Sequence, residues 1–386
     1  MNLEHRPRTW GRLSHKIMKS KAKFPCLTGN TFYSEVRRRV NNDFKENNRS
    51  INANVLMWFK AFLFLTIFLV LYFSILLLNL HGAILLGLTI LLGVTCAFIG
   101  FNICHDAIHG SFSSAKRTNS FFSFLFNMVG ASPYVWNITH NVVHHTYTNI
   151  PGHDEDIEVA PGLIRICAED ELKPHQRFQQ WYAFPLYSLA SLSWVFRKDY
   201  KKFFQKSVGA CQNKHPKIEY FNLFFYKFLY YFIFIGLPIL MMSISWWQVA
   251  IGFIVLHMAQ GLTMGLVFQL AHVVEGTTFP TTNAAGNMEE AWAEHQMRTT
   301  ANFATQSPIS AFFLGGLNRQ IEHHLFPKIC HVHYGRISII VKQTALEFGL
   351  PYHESTTFLS ALRSHYRILK KMGRPETTLT HTPLIS

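Results

Sequence analysis

The sequence predicts an all-α membrane protein with four transmembrane helices. Three observations support this fold class. Long apolar segments recur in the 386 residues, lysine and arginine avoid the short turns within each pair of segments, and histidines cluster just outside the segment ends. The last observation predicts a polar centre close to the membrane surface.

The apolar segments form two pairs, at about 57–80 with 83–104 and at 223–243 with 246–271. A hydrocarbon core about 30 Å thick needs about 20 apolar residues, so each segment is long enough to span a membrane. The paired Trp246 and Trp247 suit a membrane interface. Lys60 and Lys227 are the charged residues within the segments, and both are expected to snorkel towards the surface. The pattern therefore predicts two helical hairpins.

Basic residues predict the orientation. There are 12 lysines and arginines before Val55, 12 between His105 and Asn222, and 10 after Ala271, with none in either hairpin turn. The positive-inside rule then places both termini and the histidine clusters on the cytoplasmic side of the membrane. Most of the net charge of +14 follows from this bias. A smaller role in receiving an acidic head group, such as coenzyme A phosphates, stays open, whereas scattered basic residues without a recognised motif argue against nucleic-acid binding.

Three regions follow from this topology. Residues 1–54 form a cytoplasmic N-terminal segment, in which 1–17 are expected to be disordered and Thr31–Lys45 helical. Residues 55–352 form the membrane domain, and 353–386 a cytoplasmic tail. The first apolar run begins too late and is too long for a cleavable signal. Residues 1–54 also lack the His-Pro-Gly-Gly signature of a haem-binding cytochrome b5 domain.

The histidine clusters are the strongest functional signal. They are His105-Asp-Ala-Ile-His109, His140-Asn-Val-Val-His144-His145 and Gln320-Ile-Glu-His323-His324, and His272 stands alone at the end of an apolar run. Residues four apart share a helix face, so His105/His109, His140/His144 and Gln320/His324 are each expected to form a two-point clamp. One metal takes about four ligands, so two metal ions are the economical interpretation.

Ligand type narrows the choice of metal. Imidazole suits iron, zinc, copper and nickel, and no thiolate or carboxylate stands at ligand spacing within the clusters. Iron is preferred because the site lies against lipid, whose methylene C–H bonds yield only to an oxidant made from dioxygen. A di-iron centre can supply that oxidant.

The chain resembles the membrane fatty acid desaturases, in particular the bacterial acyl-CoA or linoleoyl-CoA desaturase group related to front-end desaturases. The resemblance rests on HDAIH, on HNVVHHTYTN followed by HDEDIE, on FQLAH and on GGLNRQIEHHLFP, and it runs from about Lys23 to about Tyr352. It implies a mushroom-shaped fold, in which four transmembrane helices are capped by a cytoplasmic helical domain. It also implies a histidine-held di-iron centre above an acyl tunnel.

The resemblance implies a ligand set: His105, His109, His140, His144, His145, His272, His323 and His324. Two positions depart from the stearoyl type. Gln320 stands where that type has histidine, as in front-end enzymes, and its amide would bind iron directly or through water. Phe268 stands where that type has an iron-associated asparagine, and the neighbouring Gln269 lies at an unfavourable helical angle to replace it.

Residues around the ligands are expected to hold the imidazoles by their other ring nitrogen. The candidates are Asp106, Asp154, Asp156, Glu158, Glu322, His331 and His333. A solvated charge or a helix cap is the alternative for each carboxylate. His257 is expected to bond a neighbouring helix within the membrane, and the remaining histidines, including His153, His295 and His365, are expected at the surface.

The expected function is oxygen-dependent introduction of a double bond into an acyl chain carried by coenzyme A or a lipid, with electrons from a ferredoxin or from cytochrome b5 and its reductase. A front-end product of the delta-5 or delta-6 type and desaturation of a saturated chain are both open. An acyl-chain hydroxylase or acetylenase on the same scaffold is an alternative. A metal-binding or transport protein without catalysis is a remote one, because transporters usually place polar sites near mid-membrane.

Overall fold

The computed structural model describes residues 22–26, 29, 31–157, 159–208, 211–212 and 214–375. Four of its helices are long and apolar enough to cross a membrane: Val55–Leu77, Gly82–His109, Lys217–Met241 and Trp246–His272. The predicted all-α fold class is confirmed. The expected disorder of 1–17 and the role of Glu158 lie outside the described residues.

Several of the helical segments change pitch along their length. The α-helices are Phe32–Glu46, Val55–Leu77, Gly82–Ile99, His105–His109, Lys116–Phe124, Pro133–Trp136, His145–Tyr147, Gln179–Ser188, Ala190–Ser193, Asp199–Phe204, Lys217–Tyr231, Leu237–Met241, Trp246–His272, Trp292–Thr299, Pro308–Phe313, Gln320–Leu325, Tyr334–Glu347 and Phe358–Met372. The π-helical turns are Gly100–Cys104, Asn137–His144, Trp194–Lys198 and Phe232–Gly236. The 3-10 turns are Leu125–Val129, Pro174–Phe178 and His331–His333.

Two small two-stranded sheets complete the described structure. Ser207–Val208 pairs antiparallel with Cys211–Gln212. Asn302–Phe303 pairs parallel with Glu354–Ser355, in the register Asn302 to Glu354. The second sheet joins the segment before the third histidine cluster to the segment before the last helix.

The second and fourth apolar helices pack closely because glycine lies at their contact. A Cβ atom on Gly93 would lie 2.2 Å from the carbonyl oxygen of Leu256, so no larger residue fits there. Gly261 likewise faces the backbone of Ser188, where a Cβ would lie 2.4 Å from the carbonyl oxygen. Small residues of this kind let membrane helices approach each other.

The N-terminal helix Phe32–Glu46 packs on the late helix Tyr334–Glu347. Thr31 caps the start of this helix through a reciprocal capping box with Ser34. This agrees with the helix predicted for Thr31–Lys45. Its buried face includes Val36 and Val40, which join the core of Ile337 and Val341. Two ion-pair contacts, Arg39 to Glu347 and Arg336 to Asp43, lie around this core.

Both lysines of the apolar segments are buried, so the prediction that they snorkel is wrong. Lys60 is 2% exposed and its Nζ lies 2.7 Å from Nε2 of His331. Lys227 is 4% exposed, and its Nζ contacts Asp199 at 2.8 Å and the carbonyl oxygen of Gly130 at 2.7 Å. Each ammonium finds a partner inside the protein, which offsets the cost of leaving water.

Candidate metal centre

The first and third histidine clusters are joined through the π-helical turn Gly100–Cys104. Asn102 in that turn donates Nδ2 to the carbonyl oxygens of Phe98 and Phe313, at 2.9 and 2.8 Å. Gly315 begins the third motif with φ +60°, and a Cβ there would lie 2.4 Å from the carbonyl oxygen of Phe101. Only glycine adopts this conformation at such a close contact without strain. The glycine-rich start of the third motif therefore fits directly against the end of the second apolar helix.

Seven of the eight predicted histidines come together in two adjoining groups, and the eighth, His145, forms a third group with one member of each. In each group, one side-chain ligand atom per residue lies within 4.8 Å of those of the others. The first group is His105, His109, His140 and His323. The second group is His144, His272 and His324. His145 forms a further group with His323 and His324, which places it between the two.

The second cluster is divided between the groups, which differs from the expected His140/His144 clamp. Residues Asn137–His144 form a π-helical segment, in which residue i pairs with residue i+5. The Nε2 atoms of His140 and His145 approach to 3.2 Å, whereas His144 joins His272 and His324. The altered pitch lets one short segment serve both groups.

The free ring nitrogens fit the chemistry of a metal site. Nε2 of His105, His109, His272, His323 and His324 is buried without a hydrogen-bond partner among the described residues. Buried polar atoms normally have a partner, so a cluster of unpaired imidazole nitrogens indicates a missing ligand. Burial lowers the pKa of His145, His323 and His324 well below the usual imidazole value. These rings are therefore neutral near pH 7, the form that binds metals.

Two carboxylates of the HDEDIE motif contact the second cluster. Oδ2 of Asp154 lies 2.8 Å from Nδ1 of His144 and accepts the backbone N–H of Asn149 at 3.0 Å. Oδ2 of Asp156 lies 3.6 Å from Nδ1 of His140, and its Oδ1 accepts from Lys198 Nζ at 2.8 Å. When Nδ1 of an imidazole donates a proton, its Nε2 keeps a free lone pair. The Asp154 contact thus orients Nε2 of His144 towards the neighbouring histidines, whereas Asp156 places a negative charge near His140 without a hydrogen bond.

Other residues orient the third cluster, and sequence reasoning did not find them. Nδ1 of His324 lies 2.8 Å from Oε1 of Gln296, which also accepts the hydroxyl of Thr148 at 2.8 Å. Nδ1 of His323 lies 3.2 Å from the hydroxyl of Tyr334. Gln296 is 28 residues from His324 and Tyr334 is 11 residues from His323, and neither separation is a recognised helix or strand period. No spacing motif in the sequence connects Thr148 or Gln296 to His324.

The other residues predicted to hold the ligand imidazoles are Asp106, Glu322, His331 and His333. Glu322 is fully buried, and its two oxygens accept from Asn302 and Tyr352, each at 2.8 Å. Burial raises its pKa above the usual carboxyl value. Asp106 binds His331 at 2.8 Å and lies 4.0 Å from Nδ1 of His105. His333 contacts the backbone carbonyl of Asn52 at 3.0 Å, so its imidazole bonds the N-terminal segment.

Gln320 and Phe268, the two departures noted in the motifs, are both near the centre. Gln320 is buried at the first position of the helix Gln320–Leu325, one turn before His324. The Phe268 ring lies 6.4 Å from the ring of His140. Gln269 donates Nε2 to the carbonyl oxygen of Ile157 at 2.9 Å, so it holds the loop that carries Asp154 and Asp156.

A cavity of about 90 Å³ adjoins the second group. Its walls include His140, His144 and His272 on one side. The rest of the lining is mostly apolar, with Trp136, Ile157, Trp194, Met264 and Phe268, but it also contains the ion pair of Asp156 and Lys198. An apolar space beside the histidine nitrogens suits an apolar part of a substrate.

Three histidines expected at the surface are buried. His153 is 5% exposed, His295 1% and His365 0%. Nε2 of His295 bonds the carbonyl oxygen of Thr148, and Nδ1 of His365 bonds that of Val273. His257 contacts Ser191 Oγ at 2.8 Å and the Tyr230 hydroxyl at 3.1 Å, as predicted for a membrane histidine bonded to a neighbouring helix.

The fold and the histidine groups define a class: a multi-pass membrane protein with a buried, histidine-rich centre compatible with metal binding. A family model described as "Fatty acid desaturase" matches residues 81–356, a range that contains all eight histidines. The chain belongs to the fatty acid desaturase family. It is an oxidoreductase that desaturates acyl chains in the biosynthesis of unsaturated fatty acids.

Relatives with the name of a desaturase are similar to this chain over most of its length. An "sn-1 linoleoyl-lipid 6-desaturase" of Synechocystis sp. is 38% identical over 296 residues, which cover 75% of this chain and 80% of the relative. A protein of the same name from Arthrospira platensis is 34% identical, covering 90% and 94%. An "Acyl-lipid (8-3)-desaturase" of Physcomitrium patens is 33% identical, covering 94% and 76%.

Proposed function

We propose that this chain is an oxygen-dependent di-iron desaturase of polyunsaturated acyl lipids. The observation that carries the proposal is the pair of adjoining groups of buried imidazole nitrogens beside an apolar cavity. The proposed iron ligands are His105, His109, His140, His144, His145, His272, His323 and His324. Iron is favoured over zinc because the substrate offers methylene C–H bonds, which a Lewis acid without redox chemistry does not break.

The two groups suggest how the ligands divide. His105, His109, His140 and His323 would hold one ion, and His144, His272 and His324 the other. His145 lies where it can serve either ion. Gln320 is one turn from His324, and its amide would complete the second site directly or through water. Asp154 and Asp156 would fix the rings of His144 and His140 from outside the ligand shell.

The protein's own share of the reaction is orientation and the exclusion of water. When bound, the iron ions with dioxygen and two electrons supply the oxidant that removes two hydrogens from adjacent methylenes. The walls formed by Trp136, Trp194, Met264 and Phe268 hold the acyl chain beside the histidines and keep bulk water away. The hydrogen bonds that His144 and His324 donate to Asp154 and Gln296 keep the imidazoles in one orientation while the chain binds.

The proposed product has a new double bond between the carboxyl end and an existing double bond. Support comes from the QIEHH motif and from the names of the relatives, which act as a linoleoyl-lipid 6-desaturase and an acyl-lipid (8-3)-desaturase. These names also favour an acyl-lipid over an acyl-CoA substrate. The position of the bond depends on how far the chain passes the iron ions.

The test is expression in a host without this activity, supplied with palmitate, stearate, oleate and linoleate. Lipids are analysed by mass spectrometry that locates double bonds, and the His144→Ala variant is the matched control. A third double bond in linoleate, near its carboxyl end, is expected. A new bond in stearate or palmitate with linoleate untouched would reject the front-end assignment, and a hydroxylated product would reject desaturation itself.

A separate electron donor and a cytoplasmic active face complete the proposal. The distribution of lysine and arginine supports an orientation with both termini inside, and the resemblance to bacterial desaturases supports a bacterial inner membrane. A ferredoxin, or cytochrome b5 with its reductase, would dock on this basic face, and added salt would weaken the contact. Turnover of the purified enzyme should need the added carrier; turnover with NADH alone would contradict the proposal.

A further inference from the structure

Lys60 is a buried cation within a segment long enough to cross the membrane. It lies in the first turns of the helix Val55–Leu77, and 2% of the residue is exposed. An ionisable residue inside a membrane segment is costly unless it has a partner, and it often marks a functional site. None of the eight proposed ligands lies on this helix. The first apolar helix therefore needs another connection to the centre.

A chain of contacts leads from Lys60 to the first histidine cluster. Lys60 Nζ lies 2.7 Å from Nε2 of His331, and Nδ1 of His331 lies 2.8 Å from Oδ2 of Asp106. An ammonium group only donates, so Nε2 of His331 accepts. Nδ1 of His331 then carries the proton and donates it to Asp106. The network thus assigns a single neutral tautomer to His331.

Asp106 is held in one orientation at the end of this chain. Its Oδ2 also accepts the backbone N–H of His331 at 3.2 Å and the Cys330 thiol at 3.0 Å. Its Oδ1 is left 4.0 Å from Nδ1 of His105, a charge contact beyond hydrogen-bond distance, and Nδ1 has no hydrogen-bond partner among the described residues. The negative charge of Asp106 and the positive charge of Lys60 sum to zero, so each compensates the other across the imidazole of His331. Without the ammonium, a buried carboxylate would remain beside the first cluster.

We propose that Lys60 is a positioning residue for the centre. Acting through His331, it holds the Asp106 carboxylate beside Nδ1 of His105, where its negative charge favours a proton on Nδ1 and leaves Nε2 free to join His109, His140 and His323. The inference rests on the proposed metal centre and assigns the first apolar helix a part in it. A carboxylate behind a metal-bound imidazole typically changes metal affinity by about 10-fold to 100-fold.

Lys227 provides a matched control. It lies in the third apolar helix, is 4% exposed and forms an ion pair with Asp199 at 2.8 Å. Asp199 contacts the indole N–H of Trp194 and the backbone N–H of Ser132, and neither residue is a proposed ligand. Removing the Lys227 charge therefore perturbs a similar buried pair away from His105.

The experiment uses the full chain, purified in detergent and loaded with iron. Iron per chain, the rate of iron release to a chelator and the Mössbauer spectrum are measured for wild type, Lys60→Met, Lys60→Arg and Lys227→Met. In Lys60→Met, one of the two iron sites should change its spectrum and release iron about 10-fold faster or more. Lys60→Arg should restore both properties. Lys227→Met should keep the wild-type spectrum even if its melting temperature falls.

The outcomes separate this inference from the proposed function. A wild-type protein without iron would refute the proposed centre. A wild type with two iron ions, combined with a Lys60→Met variant of unchanged spectrum and release rate, would overturn the role of Lys60 alone. An equal change in Lys227→Met would also overturn it, because the effect would then be general loosening. If Lys60→Met does not accumulate, Lys60→Gln, which keeps a donor without the charge, is judged by the same two measurements.

Discussion

Asp154 and His144 form the shortest of the carboxylate contacts to the proposed ligands, with 2.8 Å between Oδ2 and Nδ1. The carboxylate is fully buried, and the backbone N–H of Asn149 donates to the same oxygen. Asp154 therefore links the loop after the second motif to a ring that faces His272 and His324. Burial lowers the pKa of His144, but the neighbouring Asp154 raises it more, so it ends above the usual imidazole value.

Asp154→Asn should weaken metal binding at the second group. The amide keeps the shape of the side chain but loses the charge that stabilises the Nδ1–H tautomer of His144. Metal affinity, measured by competition with a chelator, should fall about 10-fold to 100-fold. Asp170→Asn, at an exposed position, is the control. Unchanged affinity in a folded Asp154→Asn protein would exclude this role.

His144→Ala and His324→Ala should each abolish activity while the protein still accumulates in the membrane. Each change removes a proposed ligand, and the four apolar helices pack without either side chain. Iron per chain and conversion of the acyl lipid are measured together. His175→Ala, an exposed histidine outside the centre, should match wild type. Full iron content with normal turnover in His144→Ala would show that the ligand assignment is wrong.

Met264→Trp should obstruct the acyl cavity. Met264 lines the space of about 90 Å³ beside His272, and a larger side chain there leaves less room for the substrate. If the overpacking of about 1–3 kcal/mol falls on substrate binding, conversion should drop about 5-fold to 150-fold. Met258→Trp on the same helix is the control, because Met258 is 41% exposed on the outer surface. Equal conversion by the two variants would mean that the substrate binds elsewhere.

Gly315→Ala should destabilise the protein strongly. The position has φ +60°, and the added Cβ would meet the carbonyl oxygen of Phe101 at 2.4 Å. Strain and overpacking together should cost about 2 kcal/mol or more. Thermal unfolding in detergent measures the loss. Gly87→Ala, where a Cβ meets nothing within 4 Å, should leave the melting temperature almost unchanged, and similar shifts in both variants would argue against the tight contact.

A cysteine at position 81 tests the topology. His81→Cys lies between the first two apolar helices and should react with a membrane-impermeant maleimide from outside intact cells. Ser114→Cys, exposed near the first histidine cluster, should react only after permeabilisation. Both are made in a Cys26→Ser background, since Cys26 is exposed. The reverse pattern would invert the proposed orientation.

Much of the centre could be predicted because the signals that mark it lie within short stretches of the sequence. Hydropathy marks four helices, and histidine spacing marks the residues that converge. The division of His140 and His144 between two groups could not be predicted, because the interpretation assumed regular α-helical pitch and the segment is π-helical. Pitch of this kind follows from packing around the whole centre.

The contacts that orient the ligands were harder to predict for a different reason. Gln296 and His324 are far apart in sequence, and no period or motif connects them. Lys60 was expected at the membrane surface because a lone lysine at a helix entrance usually reaches water. Its partner His331 comes from the far end of the chain, so only the fold reveals the pair.

The short helix Gln320–Leu325 sets the order in which the centre can be assembled. It supplies His323 to one group of histidines and His324 to the other. During synthesis the ribosome has already released all four apolar helices before it reaches this segment. Neither group is complete until then, so the two iron ions of the proposal would be loaded at the same late stage, into a chain already inserted in the bilayer. A truncated chain that ends before Gln320 would be a membrane protein with two half-built sites.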